Sequence, residues 1–139
     1  MRIGLTLCLL LLSFQLHAQE HEYQLTVQVT DTESSAPAGE ITAVLYRFGE
    51  TSTAWRHVDT KVTDQSGLID DFLKGLDHQG VYRLVLRTGR YFEQNGKRRF
   101  YPLIPIVLSV ESGQPVHLRV IISNDGYSIS LADTTLTDN

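Results

Sequence analysis

The sequence predicts an all-β fold, a two-sheet antiparallel sandwich with one short helix. Runs of β-branched and aromatic residues with period-two alternation recur about seven or eight times along the chain. Clusters of Gly, Pro, Asn, Asp and Ser separate them at regular intervals, as turns between short strands do. No stretch keeps a helical period for long, and there is no internal repeat or low-complexity segment. The 139 residues suit one domain with enough chain to bury a core.

The first element is not part of that domain. Met1-Arg2 gives a short positive start, Ile3 to Leu12 ("IGLTLCLLLL") is almost wholly apolar, and "QLHA" ends on the small residue Ala18. This is the anatomy of a secretory signal peptide, too short in its apolar part to span a bilayer. Residues 1–18 are therefore expected to be removed, leaving a domain of residues 19–139 that is secreted or periplasmic. Cys8, the only cysteine, leaves with the leader, so no disulfide or thiol chemistry is expected. Loss of Arg2 makes the net charge slightly more negative than the −4 of the full chain. A mildly acidic surface argues against nucleic-acid or anionic-membrane binding, and no later stretch offers a membrane anchor.

"YQLTVQVTD" opens the domain with a clean alternation: Tyr23, Leu25, Val27 and Val29 on one face, Gln24, Thr26, Gln28 and Thr30 on the other. "EITAVLYRF" (Glu40 to Phe48) and "WRHVDTKVT" (Trp55 to Thr63) are the next strands, and Asp64 to Gly67 reads as a turn. "LIDDFLKGL" is expected to begin as a strand and pass into one helical turn, with Gly75 and Gly80 preventing more. "VYRLVLRTG" (Val81 to Gly89) is a strand, and "RYFEQNGKRRFYP" a polar loop. "LIPIVLSV" resumes a strand that Pro102 and Pro105 push towards a sheet edge. "VHLRVIIS" and "YSISL" form a hairpin about Asn124-Asp125-Gly126, with Tyr127, Ile129 and Leu131 as its apolar face.

Few side chains suggest chemistry. His21, His57 and His78 lack metal-ligand spacing, so neither a metal site nor a cofactor is expected. Lys97-Arg98-Arg99 near Arg90, Tyr91 and Phe92 mimics a nucleic-acid patch, but in an acidic exported protein it reads as a charged loop tip. Ser109, Ser123 and Ser128 have no nucleophile-elbow context. Trp55 and the other aromatics read as core or interface filler. His117 and Arg119, side by side on the polar face of the penultimate strand, stand out, although a solvated strand face can carry such a pair without function.

The order of "LTVQVTDTESSAPAG", "TDQSG", "GVYRLVL", "YF", "FYPLIPIVLSV" and "VHLRVIISNDGYS" resembles the transthyretin and 5-hydroxyisourate hydrolase family over nearly all of residues 19–139. The most specific pieces are V-x-V-x-D, ending at Asp31, and H-x-x-x-x-x-S-x-x-G-Y-S, starting at His117. The resemblance implies a transthyretin-type sandwich assembled as a homotetramer, with two ligand sites in a channel between dimers. In such proteins the channel holds either 5-hydroxyisourate, which the enzymes hydrolyse, or thyroid hormone, which the transthyretins carry.

Position by position, the resemblance retains one hydrolase element and loses three. The hydrolases have a histidine where Gln28 stands, an arginine where Leu68 follows the turn glycine, and a Tyr-Arg-Gly-Ser ending where Ser130, Leu131, Ala132 and Asp133 stand. The penultimate-strand histidine remains as His117. Opening the ring with water needs a base and a donor or cation for the developing oxyanion. Glutamine cannot be that base, and one lost preorganised donor typically costs on the order of a hundredfold in rate. Arg119 is a gain, two residues from His117 and so on its face, where it could take over anion recognition lost at Leu68. The resemblance thus implies a site of Gln28, Leu68, His117, Arg119, Ser128 and Ser130. The expected function is weakly catalytic or non-catalytic binding of a small planar anion. The alternatives are a divergent hydrolase with His117 as base and Arg119 as clamp, or an envelope interaction module with a vestigial channel.

Overall fold

The alternation of Tyr23–Asp31 (β1) places this strand at the centre of one sheet. In the computed structural model, which describes residues 22–132, Leu25, Val27 and Val29 are fully buried. The leader expected at residues 1–18 lies outside the described residues. The other strands are β2 (Ala36–Pro37), β3 (Thr42–Phe48), β4 (Trp55–Val62), β5 (Leu68–Lys74), β6 (Gly80–Arg87), β7 (Ile104–Val110), β8 (Val116–Ile122) and β9 (Tyr127–Leu131), with one helix, α1 (Gly89–Gln94). The first sheet runs β2-β1-β8-β9, with β5 also paired to β1; the second runs β4-β3-β6-β7.

Every strand pair is antiparallel except β1 with β8. A parallel pair cannot be closed by a hairpin. Here the connection is all of the chain from β2 to β7, which adds β2 and β5 beside β1 and builds the whole second sheet from β3, β4, β6 and β7. The inner faces of the two sheets meet in one core. Leu118, Val120 and Ile122 of β8 oppose Leu45, Leu84 and Leu86 of the second sheet, all at most 3% exposed. Each such side chain contributes about 1.5–3 kcal/mol relative to exposure.

Two local expectations are corrected. "LIDDFLK" makes no helical turn; it is β5 throughout. Ile69 and Phe72 are three apart, which a regular strand would send to opposite faces, yet both are buried. The register with β1 shifts here: Leu25 pairs with Phe72 and Val27 with Ile69, so β5 carries one extra residue. This bulge restores both apolar side chains to the core, and Leu73 follows in the left-handed region at φ 58°. The short helix lies instead in the segment read as polar loop, where Phe92, 2% exposed, anchors α1 to the core.

On the β7 and β9 side each sheet ends in an open edge. β7, with Pro105, is the outer strand of the second sheet, where a missing N–H costs no ladder bond. β9 is the outer strand of the first, and its expected apolar face is not buried: Tyr127, Ile129 and Leu131 are exposed, Leu131 by 69%. An edge strand that overhangs the inner layer is only partly covered on its inward face. Tyr101 beside β7 meets Tyr127 of β9 edge-on at 5.3 Å, so both open edges lie on the same side of the sandwich.

Two polar ties hold β1. The Tyr91 hydroxyl of α1 donates to Asp31 Oδ2 at 2.7 Å, while the Glu33 amide donates to Oδ1 at 2.9 Å. Gln24, assigned by alternation to the polar face, is fully buried instead. Its Nε2 donates to the carbonyls of Glu111 at 2.7 Å and His78 at 3.0 Å, and its Oε1 accepts from the His78 amide at 2.9 Å. One amide thus joins β1 to the β5–β6 and β7–β8 connections.

Burial, and then the bond to Asp31, push the Tyr91 hydroxyl up to about 12. Because the folded value is raised, the tie contributes fully below pH 10, the ordinary phenol value, and is lost as pH rises through about 12. In a spectrophotometric titration, Tyr91→Phe is expected to remove a late-ionising phenol and to lower stability at neutral pH by about 1–3 kcal/mol. An unchanged late phase would show that another tyrosine produces it. Gln24→Leu keeps most of the volume but strands buried carbonyls and an amide. Denaturant unfolding is expected to show a loss of about 2–3 kcal/mol, and a change within error would exclude the latch.

Candidate functional site

The outer face of the first sheet collects the residues singled out in the sequence. In β8 the buried positions are Leu118, Val120 and Ile122, so His117, Arg119 and Ile121 face outward. Register carries that face across the sheet. Arg119 pairs with Gln28 on β1 and Ser130 on β9, and Gln28 pairs on its other side with Leu68 of β5. Leu68, Gln28, Arg119 and Ser130 therefore form one row across four strands. His117 sits in the next row beside Thr26, and Ser128 in the row on the other side, opposite Ile121. All six predicted positions lie on one face.

The turn before β5 sets the height of Leu68. Asp64 accepts hydrogen bonds from the Ser66 hydroxyl at 2.6 Å, the Ser66 amide at 2.8 Å and the Leu68 amide at 3.0 Å. The Ser66 hydroxyl first, and then the Leu68 amide, hold the Asp64 carboxyl below the usual carboxylate range. Gly67 closes the turn at φ 74°, where a Cβ would sit 2.2 Å from the Val29 carbonyl oxygen. Only glycine combines that dihedral with that approach. The turn also engages Gln28, whose Nε2 donates to the Ser66 carbonyl at 2.6 Å. Its amide is held by the scaffold rather than swinging free.

His117 is half-buried and its Nδ1 lies 2.6 Å from Thr26 Oγ1. If Nδ1 carries the proton and donates to Thr26, the lone pair is on Nε2, the form that can accept a proton or a ligand hydrogen bond. Arg119 is exposed, with no ion pair or side-chain hydrogen bond among the described residues. Ser128 and Ser130 are exposed on the edge strand and supply hydroxyls without a neighbouring base. The face therefore offers an unpaired guanidinium, an oriented imidazole, an amide and an apolar side chain. This suits recognition of a flat polar ring with negative charge, and one side chain on it can serve as a base.

Thr26 and the Asp64 turn were not legible as parts of this arrangement. Thr26 lies two residues before Gln28 and so on the same face, but only the parallel pairing of β1 with β8 brings it to His117. The motif pieces "V-x-V-x-D" and "YF" prove to be scaffold: Asp31 and Tyr91 bond to each other, and Phe92 is core.

Comparison with known proteins agrees with this architecture. The model of the HIUase/Transthyretin family matches residues 25–130. A 5-hydroxyisourate hydrolase of Mesorhizobium japonicum is 31% identical over 111 residues, covering 76% of this chain and 88% of that protein. Among solved structures, sea bream transthyretin in complex with thyroxine superposes with a TM-score of 0.75 at 22% identity, covering 83% of this chain and 99% of that one. The 5-hydroxyisourate hydrolase of Klebsiella pneumoniae gives 0.68 at 25% identity, over 78% and 98% of the two chains. With its two-sheet sandwich and a family match running from β1 to β9, the chain belongs to the HIUase/Transthyretin family.

Proposed function

We propose that this protein is exported and binds a small planar anion on the outer face of its first sheet, within a channel formed when such faces meet in a homotetramer. The observation that carries the reading is Arg119, an unpaired cation in register between Gln28 and Ser130 and beside His117. A guanidinium left free at the centre of a polar row is available for a ligand carboxylate, urate-like oxygen or enolate. The outer strands β7 and β9, each paired on one side only, support assembly through further strand pairing. The apolar run before residue 19 supports export.

The second reading is a divergent hydroxyisourate hydrolase, and the Thr26–His117 contact at 2.6 Å favours it. Thr26 would orient the ring so that His117 takes a proton from water, while Arg119 stabilises charge developing on the ring oxygen. Relatives that carry the hydrolase name lend this alternative weight. Leu68 and Gln28, standing where the resemblance implies an arginine and a histidine, weigh against a fast enzyme.

Hydroxyisourate generated with urate oxidase and followed by its ultraviolet decay separates the two. The binder reading expects no acceleration by the purified protein, together with affinity for urate that falls about tenfold or more in Arg119→Ala. Acceleration abolished in His117→Ala would establish the hydrolase instead. Urate affinity unchanged in Arg119→Ala would remove the site. Edman sequencing of protein exported by its own leader is expected to start near Gln19, and an intact Met1 in the exported fraction would overturn cleavage.

A further inference from the structure

The second sheet has an outer face of its own. Its rows read Thr60–Val44–Val85–Pro105 and His57–Tyr46–Arg83–Val107, with Arg87 in the row beyond, opposite Thr42. No Asp or Glu is in register on this face. Val44 points outward yet is only 4% exposed, so its neighbours rise around it and the surface is a cleft rather than a plane. That cleft encloses about 340 Å³, near the lower end of the roughly 300–1,000 Å³ usual for small-molecule sites. Its floor is Val44, Val85 and Pro105, Leu103 stands at one side, and Tyr46, Arg83 and Arg87 complete the lining.

The two arginines have unusual surroundings. The Arg83 guanidinium lies 4.5 Å from the Trp55 ring centre and 5.0 Å from that of Tyr46, which holds it in place by cation–π attraction. Its Nε is sealed from solvent without an acceptor. Neither Arg83 nor Arg87 forms an ion pair among the described residues. In a chain of net charge −4, two guanidiniums without carboxylates over an apolar floor are a local concentration of uncompensated positive charge.

We propose that this cleft is a second ligand site, separate from the Arg119 face, and that it takes an aromatic monocarboxylate. The flat floor of Val44, Val85 and Pro105 accepts a planar apolar body. Arg87, exposed at the rim, and Arg83, fixed on its rings, offer planar donor pairs that match a carboxylate. A nucleic acid does not fit: two arginines on an acidic protein supply too little charge for a phosphate backbone.

The test uses 2-naphthoate as probe, titrated into the purified ¹⁵N-labelled protein. Amide shifts are expected at Val44, Val85, Arg87 and Leu103. The uncharged 2-naphthylmethanol, which has the body without the charge, and acetate, which has the charge without the body, are each expected to bind about tenfold or more weakly. Arg87→Ala is expected to weaken 2-naphthoate by a similar factor with an unchanged melting temperature. Val85→Glu, which places a carboxylate in the cleft, is expected to abolish binding. Arg119→Ala is expected to leave it intact, so the two faces fail or succeed independently. Shifts confined to the Gln28–Arg119–Ser130 row, absence of binding at millimolar probe, or equal affinity for 2-naphthylmethanol would each overturn the proposal.

Discussion

The parallel hydrogen bonding of β1 with β8 is the contact on which both the core and the candidate site depend. It joins residues 91 positions apart, Thr26 to His117 and Gln28 to Arg119 among them. Because side chains alternate along each strand, the same ladder does two things at once. Inward it stacks Val27, Val29, Leu118 and Val120 into the sandwich interior; outward it lines up the polar row. A slip of one residue would exchange the faces, burying Arg119 and exposing Val120. The apolar core therefore enforces the geometry of the polar face without touching it.

Several features act to keep that ladder in register. The Gln24 amide fastens the start of β1 to two distant connections, and Asp31 fastens its end to α1 through Tyr91. On the far side of β1, Gly67 lets the turn approach the Val29 carbonyl closely enough for β5 to pair. These groups are buried or committed to the backbone and none is available to a ligand. Residues that look like motifs are here the supports of a site, in which Gln28 and His117 are tied to the scaffold while Arg119 is exposed and unpaired among the described residues.

The two outer faces use arginine differently. Arg119 is exposed and unpaired on a row of polar side chains, so its charge is well hydrated and its contribution to a ligand depends on what closes over it. Arg83 is packed between aromatic rings above an apolar floor, with part of its hydration already removed. A guanidinium in that setting attracts an anion more strongly per contact, because less water has to be displaced. A mildly acidic sandwich can in this way present two cationic surfaces of different character, one on each sheet.

The sequence by itself determined the strands, because period-two alternation is a local property: β1, β3, β4, β6, β7, β8 and β9 can all be read from which residues are apolar. It also determined that His117 and Arg119 share a face, since two positions apart on a strand always do. The tertiary structure decided what local pattern cannot express. The bulge in β5 lets Ile69 and Phe72 both point inward and so imitates helical spacing. Gln24 is buried by loops that arrive from elsewhere, and Tyr127, Ile129 and Leu131 are left uncovered because β9 is an edge. The row from Leu68 to Ser130 exists only through pairing between remote segments. Alternation tells which way a side chain points, but what stands opposite it is set by strand order, and strand order is fixed by the packing of the whole core.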